Sequence, residues 1–206
     1  MKEKVTSPLV WIDCEMTGLN LEIDELCEIA VIVTDAELNP LDEGIDLIIR
    51  PSDRARENMN DFVRQMHTNS GLINELDVGI SIEDAGKQVL EYVKRFAPEP
   101  KKALLAGNSV GTDKTFLQKQ LPELVDWLHY RILDVSSLKE MCARWYPRVL
   151  VMAPEKTGNH RALGDIQDSI NELRYYRAAL FPAGEGPGKE ELQEVVSRVK
   201  ADNPFS

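Results

Sequence analysis

Val10-Trp-Ile-Asp-Cys-Glu-Met-Thr-Gly-Leu19 is an apolar run that takes in two acids at alternate positions, Asp13 and Glu15, and stops at Gly18. A short apolar run closed by glycine reads as a buried β-strand. Side chains alternate across a strand, so Trp11, Asp13 and Glu15 point to one face and Val10, Ile12 and Cys14 to the other. Two carboxylates held together on a buried strand repel each other and resist desolvation, and a divalent cation between them relieves both costs. Asp-x-Glu is a frequent pair in a chain with 35 acidic residues among 206, so its meaning depends on what the rest of the chain places beside it.

Outward from that strand, residues 26–34 are rich in β-branched side chains and read as a second strand, and residues 44–50 as a third ended by Pro51. Short polar turns join the three, which predicts an antiparallel meander. Residues 52–80 are polar, with short helical stretches near 59–66 and 71–76. Ser81-Ile-Glu-Asp then opens a helix to Phe96 with Ala85, Val89, Tyr92, Val93 and Phe96 on one stripe. Residues 103–106 form a fourth strand, and Thr112 is the expected cap of the next helix, with Asp113 in its first turn. Residues 131–135 form a fifth strand, followed by a helix to Trp145 capped by Ser136 or Ser137 and a loop over 148–159. A long helix to about Leu180 buries Leu163, Ile166, Ile170, Leu173 and Tyr176. The order predicts an α/β domain over 1–181 with a mixed five-stranded sheet flanked by helices, its first three strands antiparallel. Residues 182–206 are expected to be a linker and a charged C-terminal tail with a weak helix.

With 43% hydrophobic residues the chain can bury a full core, while its net charge of −11 gives it no global field for long nucleic acid. A nucleic-acid substrate must then be short, or held by a few local cations. Cys14, Cys27 and Cys142 form no C-x-x-C pair, which points to neither a disulfide framework nor a zinc site and fits a reduced, cytoplasmic setting. The N-terminus lacks an apolar signal core, and no membrane-spanning run is present, so a soluble protein is expected.

Three further residues complete a pattern with Asp13 and Glu15. Asp113 opens a helix directly after a strand and loop, where ligand sites in open α/β sheets form. Asp165 lies near the start of the last long helix beside Ile166. His160 sits five residues earlier, a spacing that would turn the two about 140° apart within one helix, so they converge only if His160 lies on the preceding loop. Four hard oxygen ligands favour magnesium or manganese, and two such ions beside a phosphodiester with a histidine near the attacking water point to its hydrolysis.

The blocks Trp11-Ile-Asp-Cys-Glu-Met-Thr-Gly-Leu19, Gly107-Asn-Ser-Val-Gly-Thr-Asp113, His129-Tyr-Arg-Ile-Leu-Asp-Val-Ser136, His160-Arg-Ala-Leu-Gly-Asp-Ile166 and Glu172-Leu-Arg-Tyr-Tyr-Arg177 resemble the oligoribonucleases. These belong to the exonuclease superfamily with four acids and a histidine, on a ribonuclease H-like fold, and the likeness runs from about residue 8 to 180. The resemblance implies a 3′-to-5′ exoribonuclease that cuts the shortest RNA fragments, dinucleotides above all, to mononucleotides. It implies Asp13, Glu15, Asp113 and Asp165 as ligands of two Mg2+ or Mn2+ ions and His160 as the base. It also implies a homodimer in which Leu19 wedges between two bases, with the partner's Tyr130 near it, while Ser109, Ser136, Ser137 and the partner's Arg131 cap the 5′ phosphate. Trp11, Met16, Phe62 and His67 are implied as further substrate contacts. Phe62 stands where the family has tryptophan, Cys14 where leucine is usual, and Gly164 where an acid often precedes the last aspartate. Two alternatives remain open: a relative acting on DNA or tRNA 3′ ends, and a non-catalytic dinucleotide-binding module.

Overall fold

Strand β1 (Leu9–Met16) is buried along its length except for the half-buried Asp13, and it lies at the centre of the sheet. The computed structural model describes residues 7–204 other than 157, 159 and 185. β2 (Leu26–Thr34) runs antiparallel to β1, setting Trp11 opposite Ile32, Asp13 opposite Ala30 and Glu15 opposite Glu28. β3 (Ile45–Ile48) is antiparallel to β2, whereas β4 (Leu104–Gly107) is parallel to β1 and β5 (Ile132–Asp134) parallel to β4. The strand order β3-β2-β1-β4-β5 is the mixed α/β sheet expected from the sequence, antiparallel over its first three strands. β3 is shorter than its apolar run; beyond it the Ile49 amide still donates to the Cys27 carbonyl of β2, and Ile49 also bridges to Ile80.

After β3 come α1 (Asp53–Asn58), α2 (Asp61–Asn69), 3-10 turns at Leu72–Asn74 and Leu76–Val78, and α3 (Ile82–Phe96). The sequence reading missed α1, whose cap is the Ser52 hydroxyl accepting the Ala55 amide. α3 starts where the capping box placed it, with the Ser81 hydroxyl accepting the Asp84 amide at 3.1 Å. With α4 (Gly111–Gln120) and α5 (Pro122–Trp127) it covers one sheet face, where Val10, Ile12, Cys14 and Met16 meet Val89, Val93, Phe116, Leu117 and Leu124.

The opposite face is covered by α6 (Val135–Trp145), α7 (Pro147–Val151) and α8 (Ala162–Leu180). There Leu9 and Trp11 pack with Ala30, Ile32, Val135, Ile166, Ile170 and Tyr176. Asp13 and Glu15 continue that face beyond the apolar packing, which aims both carboxylates toward the start of α8.

Two expected caps differ. α4 begins at Gly111, one residue before Thr112, because Ser109 adopts a left-handed φ of 51° and its carbonyl receives the Thr112 amide. α6 is capped by Asp134, whose carboxylate accepts the Ser136 amide at 2.9 Å, so the serines lie inside the helix. Pro147 opens α7 where a loop was expected; residues 157 and 159 of that loop lie outside the described residues. α9 (Lys189–Ala201) buries none of its residues. Among the described residues no helix is long and apolar enough to cross a membrane.

Candidate active site

Asp13, Glu15 and Asp165 each offer an oxygen within 4.8 Å of the others, two from β1 and one from the first turn of α8. Asp113 approaches from α4. Pairing between β1 and β4 is confined to Leu9 through Trp11, and beyond it the Cys14 amide donates to Asp113 Oδ1 at 3.0 Å. One backbone hydrogen bond thereby anchors the fourth acid between the other two on the same strand. Burial, then the charges of Asp113, Asp165 and Glu15, push the Asp13 carboxyl up to about 9. Glu15 is pushed to about 8 by burial, then by Glu28, Asp165 and Asp113, and Asp113 to about 6, chiefly by burial. Burial also raises Asp165. Converging carboxylates that resist ionisation suit a hard divalent cation, which would replace the protons they otherwise hold.

A register shift between Glu15 and Met16 precedes the last β1–β2 pair, Met16 with Leu26, and a tight turn follows. Asp24 organises that turn, its carboxylate accepting the Thr17 hydroxyl at 3.0 Å and the Asn20 amide at 2.8 Å. A Cβ on Gly18 would meet Asp24 Oδ2 at 2.4 Å, so only glycine fits beneath that carboxylate. The turn presents Leu19, 75% exposed, three residues beyond the end of β1.

His160 lies outside α8, exposed and at a left-handed φ of 48°. Its position before the helix meets the condition for converging with Asp165, whose carboxyl its charge lowers against the effect of burial. α8 runs unbroken through Gly164, and its first turn is closed by the Asp165 amide donating to the Arg161 carbonyl at 3.0 Å.

Ser109 and Ser136 are brought together, their hydroxyls 3.0 Å apart, with the Ser109 amide donating to Asp134 and to Ser136 Oγ. The Ser136 hydroxyl donates to Asn108 Oδ1 at 3.1 Å, and Asn108 Nδ2 donates in turn to Ser169 and Glu172 on α8. Ser137, one residue further round α6, lines a groove of about 1350 Å3 together with Asp134, Leu138, Leu173 and Phe181. Tyr130 is exposed, stacked on His129 at 4.5 Å, and its hydroxyl accepts Arg131 Nε at 3.0 Å.

Trp11 and Met16 are core residues. α8 covers the sheet face that Trp11 shares with Ala30 and Ile32 and buries Trp11 fully, and its indole donates to the Thr34 hydroxyl at 3.0 Å; Met16 packs on the α3 side. His67 is buried too, its Nε2 donating to the Met16 carbonyl at 2.8 Å while Nδ1 faces Glu15 at 3.8 Å. Burial lowers its pKa. Trp11, Met16 and His67 are thus buried, whereas Phe62 on α2 is 78% exposed. Sequence reasoning missed Glu28, Arg161 and Asn108. The first carried a signal, being an acid inside an otherwise apolar strand, where a buried charge demands a partner.

Comparison with known proteins agrees with this geometry. The exonuclease family model RNase_T matches residues 10–173. The oligoribonuclease of Streptomyces griseus is 57% identical over 193 residues, covering 94% of this chain and 96% of that protein. The oligoribonuclease of Leifsonia xyli subsp. xyli is 58% identical over 191 residues, covering 93% and 92%. Among solved structures, E. coli exonuclease I in complex with a dT13 oligonucleotide aligns over 94% of this chain and 44% of that one, with a TM-score of 0.66 and 14% identity. This chain spans less than half of that exonuclease, and the likeness is one of fold. Four acids and a histidine on the expected elements, together with more than half of the sequence shared with these relatives, lead to one conclusion: the chain belongs to the oligoribonuclease family of exonucleases.

Proposed function

We propose that this chain is a 3′-to-5′ exoribonuclease that hydrolyses short RNA, dinucleotides above all, to 5′-mononucleotides. The observation that carries the reading is the convergence of Asp13, Glu15 and Asp165 within 4.8 Å, with Asp113 hydrogen-bonded between the first two and His160 at the mouth of the helix bearing the third. These four acids would hold two divalent ions, Mg2+ or Mn2+; when bound, such ions supply charge neutralisation at the scissile phosphate and a more acidic water. His160 takes the proton of the attacking water. Leu19 separates the two bases, and Phe62 offers an aromatic face to one of them.

On substrate binding the hydroxyls of Ser109 and Ser136 turn from Asn108 and from each other to donate to the 5′ phosphate, which closes the site to longer chains and reconciles a phosphate substrate with a net charge of −11. Tyr130 and Arg131, both exposed, reach the site of a second copy in a homodimer, where the guanidinium adds to the phosphate cap. The test is product analysis on 3′-labelled and 5′-labelled RNA of two to seven nucleotides with Mg2+ or Mn2+. Release of 5′-mononucleotides from the 3′ end, abolished in Asp13→Ala, is expected. Internal cleavage or release from the 5′ end would overturn the reading.

A further inference from the structure

Glu28 is an acid with no exposed surface, in the middle of β2 and directly opposite Glu15. A buried carboxylate is sustained only by partners, and this one engages two consecutive residues with its two oxygens. Arg161 Nε donates to Oε1 at 2.8 Å, and the Ala162 amide donates to Oε2 at 3.2 Å. The other edge of the same guanidinium donates to both oxygens of Glu75, at 2.9 and 3.3 Å, from the 3-10 turns that follow α2. A guanidinium is planar and rigid, so three nitrogens fixed on two carboxylates fix the residue.

Arg161 is the neighbour of His160, and His160 holds a left-handed backbone conformation that costs about 1–2 kcal/mol outside glycine. Such a conformation persists where its surroundings over-determine it. Arg161 and Ala162 supply that constraint on one side of His160.

We infer that Glu28 and Glu75, acting through Arg161, are positioning residues that aim the His160 imidazole; this rests on the reading of His160 as the base. Glu28 engages both of its oxygens in this clamp and lies outside the three-carboxylate group. The clamp also joins the base to the segment following α2, the helix that presents Phe62.

The test uses Glu75→Gln, whose side chain is 42% exposed and so tolerates change, and Arg161→Lys, which keeps the charge and loses the fork. Misplacement of a reacting group by about 1 Å costs up to about 100-fold. Each variant is expected to lower kcat on a 5′-phosphorylated dinucleotide by about 10-fold or more, with KM and Mn2+ affinity within about twofold. In a His160→Ala background the same substitutions should have no further effect, because a residue acting through His160 loses its means of action. In metal-free protein, hydrogen exchange at residues 160–162 should accelerate in Glu75→Gln while exchange along β1 stays unchanged. Full kcat in both variants, or losses that add to that of His160→Ala, overturns the inference and leaves the base assignment standing. Full activity in His160→Ala alone overturns the base assignment, and the inference with it.

Discussion

Asp113 Oδ1 accepts the backbone amide of Cys14 at 3.0 Å, so the acid contributed by α4 is fastened to the residue between the two acids of β1. The bond forms where β4 has stopped pairing with β1, in the crevice at the carboxyl ends of the parallel strands where open α/β sheets bind ligands. Asp113 therefore has a structural duty beside its proposed ligand role. Asp113→Asn keeps an acceptor for the amide, whereas Asp113→Ala leaves it unsatisfied at a cost of about 1–3 kcal/mol. Both variants should lose activity, and Asp113→Ala should melt below Asp113→Asn in metal-free buffer. Equal melting temperatures would show that the Cys14 bond contributes nothing.

The raised carboxyls set a pH dependence whose sign is fixed. Asp13 titrates near 9 and Glu15 near 8 in the folded protein, against about 4 in an unfolded chain. Between those values the native state binds more protons than the unfolded one, so the stability of metal-free protein falls as pH rises from about 4 to 9. Melting in EDTA should drop between pH 6 and 8.5, Asp13→Asn should flatten the slope, and saturating Mn2+ should reverse it. Metal affinity should rise over the same window as protons are displaced. A melting temperature that climbs with pH in EDTA contradicts the assigned environment.

Leu19 is exposed on a turn that Asp24 builds beneath Gly18. Leu19→Ala should leave the melting temperature nearly unchanged and raise KM for a dinucleotide, because only the contact with bases is removed. Gly18→Ala should lower both stability and activity, since its Cβ displaces the Asp24 carboxylate. Differential scanning fluorimetry beside steady-state kinetics separates the two effects; a Leu19→Ala protein with unaltered KM removes Leu19 from the site.

The five-stranded sheet and the elements that carry the candidate site residues were legible because periodicity reports burial: the alternation of β1 predicted which face Asp13 and Glu15 share with Trp11. What escaped was decided by backbone conformation and by long-range polar pairing. Thr112 has the right chemistry for a cap, but the left-handed Ser109 starts α4 two residues earlier, with Val110 in the cap position. Glu28 and Arg161 are 133 residues apart, and no local pattern links them.

The serine pair makes a separable prediction. A hydrogen bond to a charged group contributes about 1.5–3 kcal/mol, so Ser136→Ala should slow turnover of a 5′-phosphorylated dinucleotide by about 10- to 150-fold. The 5′-hydroxyl form should be cleaved at nearly the wild-type rate. Equal losses on both substrates would assign Ser136 to the support of Asn108 and α8 instead.

The central claim is that the acidic cluster and His160 serve a site closed around short RNA. The most direct measurement compares kcat/KM of the wild-type protein on a 5′-phosphorylated RNA dinucleotide and on a long single strand under the same Mn2+ concentration. The dinucleotide should be cleaved faster by orders of magnitude, with both activities sharply reduced, to a residual rate, in His160→Ala. A long strand degraded as fast as the dinucleotide, or faster, would contradict it.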